Sequence, residues 1–257
     1  MKELNEVLER TILIAARRST VFRYFTDSQR FAAWWGVGST IEAKRGGAVQ
    51  IRFPGAVSVS GEVLEVVPNE KIVFTYGFDS GKPIPPGSSR VTVTLRDHPE
   101  GTELRLKHEF ADAATRDEHI QGWRYQLALF ANIASRDEHS AAAATVDEFF
   151  NSWNSLDSNA RAGALERISV PDLRFMDMHS CTTGIPDLNA HIDAGKKFMP
   201  GLSITRDGDI QECQGTVLVR WIAKRTANQT EIGRGTNIFS LAPDGRIQRI
   251  IGFWNRA

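Results

Sequence analysis

The amino-acid sequence predicts an α+β protein of two domains, each built from an antiparallel sheet that closes over helices. Three observations lead to this prediction. Residues 46–110 alternate between apolar and polar as half-buried strands do, residues 115–133 carry a helical stripe, and beyond residue 140 helices come first and strands last. With 257 residues the chain can hold two domains of ordinary size. We predict domains at 1–138 and 139–257.

Composition and charge limit the classes of function. The chain has 31 basic and 31 acidic side chains, and 41% of its residues are apolar. A nucleic-acid or acidic membrane surface needs a concentrated positive patch, and no basic run is present, so we expect no nucleic-acid partner and no membrane partner. No stretch approaches about 18 apolar residues, and the amino terminus lacks an apolar signal core, so we expect a cytoplasmic protein.

Motifs for metals and cofactors are missing from the sequence. Cys181 and Cys213 are the only cysteines, and neither has another Cys or a His at zinc-ligand spacing. We therefore expect two buried, reduced thiols and no metal site. The sequence has no phosphate-binding loop, no dinucleotide-binding fingerprint and no nucleophile elbow, so no cofactor is expected.

The first domain begins with a charged segment, residues 1–10, which we expect to be helical, and a short β-rich run at residues 11–15. Ser19 is the expected N-cap of the next helix. The adjacent Trp34 and Trp35 point in different directions on any regular element. We expect one of them in the core and the other at the mouth of a cavity.

Five alternating runs then predict an antiparallel meander with one apolar face. Its inward positions include Phe53, Phe74 and Tyr76 on the earlier strands and His108 on the last. A lone histidine on an apolar face is more often a hydrogen-bonded core residue than a catalyst. The loop at residues 79–89 has three prolines and two glycines, so it is either a surface hairpin loop or a lid over a pocket opening.

The helix predicted at residues 115–133 covers this apolar face. Its apolar residues recur at steps of three and four, which places them on one stripe. The inward positions of sheet and helix are the candidate ligand-binding residues of the first domain: Trp35, Phe53, Phe74, Tyr76, His108, Trp123 and Leu127.

Three motifs in this half resemble one known family. They are WWG at residues 34–36, GEVLEVVP at 61–68 and GW at 122–123. With the order of elements around them, they make residues 8–135 similar to the family related to the activator of Hsp90 ATPase, within the START-like helix-grip (SRPBCC) superfamily. The resemblance implies a curved sheet over a long carboxy-terminal helix with an apolar cavity between them, and it suggests a contact with a chaperone.

The second domain begins with two helices, at residues 146–153 and 160–168. A strand should follow at residues 173–179, with Asp177 and His179 on one side of it. A helix and four β runs complete the chain. Asp177 and His179 are the candidate acid–base residues, because a histidine partnered by a carboxylate can be a general base. The alternative is that Asp177 is solvated and His179 is an ordinary polar residue.

Several stretches of this half resemble a second family. FFNSWNSLD at residues 149–157, VRWIAK at 219–224, GRGTNIFSLAPDGRI at 233–247 and the closing GFW are similar to the SnoaL-like branch of the NTF2-like superfamily. The resemblance implies a sheet curled into a cone and a homodimer. In related polyketide cyclases an acidic residue often works at the position of Asn237. An amide can orient a carbonyl group but cannot accept a proton near neutral pH.

The sequence therefore predicts a protein that binds small, mainly apolar or aromatic molecules in one cavity per domain. The candidate ligand-binding residues of the second domain are Phe150, Trp153, His179, Trp221, Asn237 and Phe239. One alternative is a cyclase, dehydratase or isomerase that uses His179 with Asp177, and Asn237 as the orienting group. The other is a chaperone-associated protein.

Overall fold

A computed structural model describes residues 3–255 of the protein. The chain divides into two compact units, Met1–Asp137 and Glu138–Ala257. Each unit has a hydrophobic core of its own: the first core takes its buried residues from Leu8 to Ala134 and the second from Ala142 to Ile250. The predicted class, α+β with two sheet-and-helix units, is confirmed.

The first unit is a seven-stranded antiparallel sheet with helices packed on its buried face. The strand order is β1-β7-β6-β5-β4-β3-β2. Its elements are β1 (Glu6–Ile14), α1 (Arg18–Arg23), α2 (Ser28–Trp35), β2 (Thr40–Ile41), β3 (Ala48–Arg52), a short 3-10 helix (Pro54–Ala56), β4 (Ser58–Val67), β5 (Lys71–Tyr76), β6 (Ser89–His98), β7 (Gly101–Phe110), α3 (Ala113–Glu118) and α4 (Ile120–Glu138).

Local sequence explains these elements. On β6, Val91, Val93 and Leu95 are buried while the threonines between them are half-buried, the alternation of a strand with one core face. Helix α2 begins after Asp27, whose carboxylate accepts a hydrogen bond from the backbone N–H of Arg30. Side-chain caps of this kind satisfy N–H groups that have no partner within the helix.

Three predictions for the first unit were wrong. Residues 6–10 of the charged amino-terminal segment belong to strand β1 and not to a helix, because they pair with β7 and bury Leu8; residues 1–2 lie outside the described residues. Ser19 is not a cap, since α1 begins at Arg18 and Arg17 holds the N-cap position. The helix predicted at residues 115–133 is two helices, α3 and α4, which are separated at His119.

The second unit packs three helices against a sheet of the order β10-β12-β13-β14-β8-β9, with β11 paired to β12. The β14–β8 pair is parallel and the others are antiparallel. Its elements are α5 (Ala142–Asn154), α6 (Ser158–Ile168), β8 (Ser169–Met176), β9 (Cys181–Thr183), α7 (Ile185–Phe198), β10 (Leu202–Arg206), β11 (Gln211–Cys213), β12 (Thr216–Arg225), β13 (Glu231–Leu241) and β14 (Ile247–Trp254).

Two predictions for the second unit were also wrong. Strand β8 ends at Met176, so Asp177 and His179 lie in the turn before β9, where the backbone N–H of Asp177 donates to the carbonyl oxygen of Ser180. Cys181 and Cys213 are both exposed and not buried, since they lie on the short strands β9 and β11. Within residues 3–255, no helix is both long and apolar enough to cross a membrane.

Candidate functional site

The first unit contains a cavity of about 490 Å³ between the amino-terminal half of α4, the end of α2 and strand β5. Its floor is formed by buried side chains of all three elements: Trp35, Tyr76, Trp123 and Gln126. Its rim is exposed and includes Val57, Pro83, Glu118, Gly122 and Tyr125. Because α4 restarts after His119, the first turns of α4 face this space.

Aromatic rings pack edge to face along the cavity wall. The ring centroids of Trp35 lie 5.7 Å from Phe53 and 5.5 Å from Trp123, with interplanar angles of 83° and 75°. Tyr76 makes the same kind of contact with Phe78, at 5.7 Å and 88°. Edge-to-face pairs at these distances are favourable and hold the rings in fixed orientations. The wall is therefore apolar and already ordered without a ligand.

Two buried polar groups of this wall have no hydrogen-bond partner among the described residues. Trp35 Nε1 and His119 Nε2 are buried and unpaired. The hydroxyl group of Tyr76 belongs to a residue that is only 5% exposed and also lines the cavity. Burial alone raises the pKa of Tyr76, so this hydroxyl keeps its proton. Unpaired buried polar groups are rare in folded proteins and costly.

His108, by contrast, has both ring nitrogens bonded. Trp123 Nε1 donates to His108 Nδ1 at 2.9 Å, which leaves the proton on Nε2, and Nε2 donates to Ser89 Oγ at 2.8 Å. The Ser89 hydroxyl donates in turn to the backbone oxygen of Tyr76. Burial, followed by the nearby His119, holds the pKa of His108 well below its ordinary value. His108 is a neutral core residue that orients Trp123.

The structure places four of the seven candidates of the first unit on the cavity wall: Trp35, Phe53, Tyr76 and Trp123. The remaining three, Phe74, His108 and Leu127, are not wall residues, because they are fully buried in the core behind it. Trp34 also lies in the core, with its indole N–H directed at the backbone oxygen of Tyr24.

Sequence reasoning missed His119, which is a wall residue. The signal was its position four residues before Trp123, since residues at that spacing share one face of a helix. Pro83 also reaches the wall, so the loop at residues 79–89 contributes to the cavity rim.

The second unit has a cavity of about 470 Å³ between α7, the turn after β8 and strand β10. Its apolar wall includes Trp153, Phe198, Met199, Leu202 and Trp254, and its polar side chains are Asp177, His179, His191 and Lys196. A recess of about 30 Å³ adjoins it and shares Trp153, Asp177, Ile204 and Trp254. Such a volume holds about one water molecule.

Phe150, Trp221 and Asn237 line this recess, as predicted for an inward face. Trp221 Nε1 donates to Asn237 Oδ1 at 2.9 Å, and both residues are buried. The amide of Asn237 is thus already engaged as an acceptor. Phe239 is fully buried behind the recess and does not line it.

The predicted acid–base pair does not form. The carboxylate of Asp177 accepts a hydrogen bond from the backbone N–H of His179 at 2.8 Å and not from its imidazole. The exposed ring of His179 lies 5.9 Å from the ring of Trp254. A turn-closing carboxylate of this kind is typical after a strand end and fixes the backbone rather than a histidine tautomer.

His191 is a cavity residue that sequence reasoning did not select. Its ring lies 5.9 Å from Phe175 and 6.1 Å from Trp153. Asp193, two residues further along α7, faces away and bonds to the buried Arg161. The spacing of His191, Ala194, Gly195 and Phe198 on one helix face was the available signal.

Within the described residues, no group of three or more His, Cys, Asp or Glu side chains lies close enough to hold a metal ion. The polar groups of both cavities are few and neutral or singly charged. Each cavity can therefore hold an apolar body and hydrogen-bond a small number of polar atoms on it.

Comparison with known proteins identifies a family for the first unit. Residues 15–135 match the family model described as Activator of Hsp90 ATPase homolog 1-like protein. An AHSA1-like protein from Rhizobium etli, solved in solution, is 30% identical; the alignment covers 52% of this chain and 87% of that chain, with a TM-score of 0.41. No curated protein matches the chain.

Two further solved structures are similar. A member of the SnoaL-like family from Agrobacterium tumefaciens is 22% identical, over 47% of this chain and 99% of that chain, with a TM-score of 0.42. The Aha1 dimer from Colwellia psychrerythraea is 16% identical, over 48% and 90%, with a TM-score of 0.42. Through residues 15–135, the chain belongs to the family of Activator of Hsp90 ATPase homolog 1-like proteins.

Proposed function

We propose that this protein is a cytoplasmic, homodimeric binding protein for small, mainly apolar or aromatic molecules, with one ligand cavity in each unit. The observation that carries the proposal is the aromatic wall of the 490 Å³ cavity in the first unit. Its volume lies within the range of about 300–1,000 Å³ that small-molecule sites occupy. The ordered rings lose little freedom when a ligand enters, and such preorganisation favours binding.

The second cavity supports the same function with a different set of side chains. Trp153 and Trp254 supply flat apolar surface, and His191 and Asp177 supply polar contacts. Lys196 is tied to the backbone oxygen of Asn154 by its ammonium group at 2.9 Å, so its charge is already partnered. A ligand of this cavity would meet two aromatic faces and a few hydrogen-bonding groups.

Two glycines allow each cavity to be blocked separately. A Cβ added at Gly122 on α4 or at Gly195 on α7 meets no atom within 4 Å, and both residues line a cavity. Gly122→Leu should therefore fill the first cavity, and Gly195→Leu the second, without displacing the core. Each variant is the matched control for the other.

The experiment is native mass spectrometry of the full chain with a library of aromatic and lipid molecules. We expect up to two bound molecules per chain. The ligands of the first cavity should no longer bind to Gly122→Leu, and those of the second cavity should no longer bind to Gly195→Leu. Binding that survives both substitutions, or the absence of any bound molecule from the whole library, would contradict the proposal.

A cyclase, dehydratase or isomerase acting in the second cavity is less well supported. The general base that this chemistry needs would be His179, but the carboxylate of Asp177 is bonded to its backbone and does not orient its ring. Asn237 bonds to Trp221 and lines the recess, which His179 does not line. The three groups therefore do not act as one set.

A chaperone contact is the second candidate function, and the family match of residues 15–135 favours it. Because function resides in particular surfaces and sites, the fold alone supports it weakly. A pull-down of the tagged full chain with the Hsp90-type chaperone of its host is the test. We expect capture of the chaperone if this candidate holds, and failure of the pull-down at low salt would remove it.

A further inference from the structure

The unpaired polar groups of the first cavity point to the chemistry of its ligand. Resting on the proposed binding function, we propose that this cavity selects an uncharged aromatic molecule that bears a hydroxyl group, of the phenol class, over a carboxylate of the same shape. The polar groups concerned are those of Trp35, Tyr76 and His119, and no Lys or Arg is among the described residues of the wall.

Two of these groups can donate a hydrogen bond. Trp35 is 5% exposed, and its indole N–H, which can only donate, has no partner among the described residues. The Tyr76 hydroxyl, on a residue that is also 5% exposed and lines the cavity, can both donate and accept. A ligand oxygen that accepts from the Trp35 N–H would replace a costly unpaired state with a hydrogen bond, and the Tyr76 hydroxyl offers a second donor.

The third group can only accept. His119 Nδ1 lies 2.7 Å from the backbone oxygen of Thr115, so the proton sits on Nδ1 and Nε2 keeps a free lone pair. Burial lowers the pKa of His119, which keeps the ring neutral near pH 7. A ligand that donates a hydrogen bond suits Nε2, whereas a carboxylate has no proton to donate.

Charge separates the two ligand classes further. No Lys or Arg lines this cavity, and its one ionisable acid, Glu118, lies on the exposed rim. A carboxylate moved against the aromatic floor would lose its hydration without gaining a counter-ion, which is strongly unfavourable. A phenolic hydroxyl is neutral near pH 7 and both donates and accepts, so it can use the donors and the acceptor of the wall.

The test uses three probes of one shape: naphthalene, 2-naphthol and 2-naphthoate. Affinities are measured by calorimetry at pH 7 on the full chain carrying Gly195→Leu, so that only the first cavity is counted. We expect 2-naphthol to bind about tenfold or more tightly than naphthalene, the gain of about one well-formed hydrogen bond, and 2-naphthoate to bind more weakly than both.

Tyr76→Phe removes one hydroxyl and keeps the ring. It should lower the affinity for 2-naphthol at least threefold and leave that for naphthalene unchanged. Tyr24→Phe is the matched control, since Tyr24 is buried in the same unit but does not line the cavity. It should change neither affinity.

Two results would overturn the inference while leaving the proposed function intact. One is equal binding of 2-naphthol and 2-naphthoate, and the other is an unchanged affinity for 2-naphthol in Tyr76→Phe. If none of the three probes binds, or if Gly122→Leu leaves their binding intact, the proposed function of this cavity fails and the inference fails with it.

Discussion

At the scale of single residues, His108 illustrates how a buried polar group is made compatible with a core. Its two ring nitrogens are both bonded, to Trp123 and to Ser89, and its ring stacks at 3.9 Å between centroids with Phe110. The neutral form fits this environment and the charged form does not, because a second proton on Nδ1 would face the N–H of Trp123. The protonation state of His108 is therefore linked to folding.

We predict that the first unit loses stability as the pH falls below about 6.5. The folded pKa of His108 is depressed, so between the folded and unfolded pKa values the unfolded chain binds the extra proton and is favoured. The loss is at most about 1.4 kcal/mol per pH unit for each such histidine. Urea denaturation between pH 7.5 and pH 5 measures it.

His108→Gln should flatten this pH dependence, although it also lowers stability at pH 7. The matched control is His98→Gln, at the exposed end of β6, which should keep the wild-type slope. An identical slope in His108→Gln and in the wild type would refute the assignment.

Gly235 is a residue whose missing side chain makes room for a neighbour. A Cβ at this position would lie 2.2 Å from the backbone oxygen of Phe253 and 2.3 Å from the indole of Trp221. We predict that Gly235→Ala lowers the free energy of unfolding of the second unit by about 1–3 kcal/mol, because Trp221 and strand β14 must move.

Gly163→Ala is the control. Its Cβ meets no atom closer than 4.0 Å, and alanine favours a helix, so this variant should raise the free energy of unfolding by up to about 1 kcal/mol. Chemical denaturation of both variants checks the contrast.

At the scale of elements, Arg161 ties α6 to α7. Its side chain is fully buried and donates to Asn189 at 2.5 Å, to the backbone oxygen of Ser155 at 2.8 Å, and to Ser158 and Asp193. Helix α7 carries one wall of the second cavity, so this set of hydrogen bonds fixes part of that wall. The planar guanidinium group supplies several donors in fixed directions, which one ammonium group would not.

We predict that Arg161→Met lowers the free energy of unfolding of the second unit by about 2–3 kcal/mol, since several charge-assisted hydrogen bonds are lost and their acceptors stay. Arg167→Met, on the same helix, removes an exposed pair with Glu148 and should cost less than about 1 kcal/mol. Hydrogen exchange of α7 amides should rise in the first variant only. Equal losses in the two variants would count against the role of Arg161.

The sequence predicts helices and strands better than it predicts where they end. Long strands with one buried face could be predicted, because their apolar residues occupy every second position, as Val91, Val93 and Leu95 do. The sequence pattern did not predict where some of these elements end. The alternation of β8 continues in the sequence to His179, but the strand stops at Met176 because the Asp177 carboxylate closes a turn.

The sequence could predict which side chains point inward at the candidate sites. It could not predict which of them line a cavity. Sequence periodicity identifies an inward side chain, but it does not distinguish a side chain that borders a cavity from one that fills the core behind it. Tyr76 and Phe74 share a face of β5, yet only Tyr76 lines the cavity. Phe74 is 1% exposed within the core, whereas Tyr76 borders the space that the first turns of α4 also line.

At the scale of the whole molecule, the outer face of the second sheet supports the proposed homodimer. Leu218, Ile238 and Ile251 are direct neighbours across β12, β13 and β14, and all three are half-buried on the side away from the core. Phe253, which is 51% exposed, extends this row. Apolar rows on a sheet face are stabilised when they are covered by a partner.

We predict that Ile238→Lys converts the protein from a dimer to a monomer, because a buried ammonium group in an isologous interface occurs twice and has no counter-ion. Light scattering after size exclusion should give twice the 28.6 kDa chain mass for the wild type and one chain mass for the variant. Leu13→Lys, at an exposed strand position of the first unit, should remain dimeric. A monomeric wild type would refute the homodimer.

The two exposed cysteines have a practical consequence. Cys181 follows the turn that holds Asp177 and His179, and Cys213 lies on β11, well separated in sequence from that turn. With Cys213 replaced by serine, a maleimide dye would attach at one position beside the entrance of the second cavity. Its emission would then report when a guest arrives or leaves, and the native chain already provides the point of attachment.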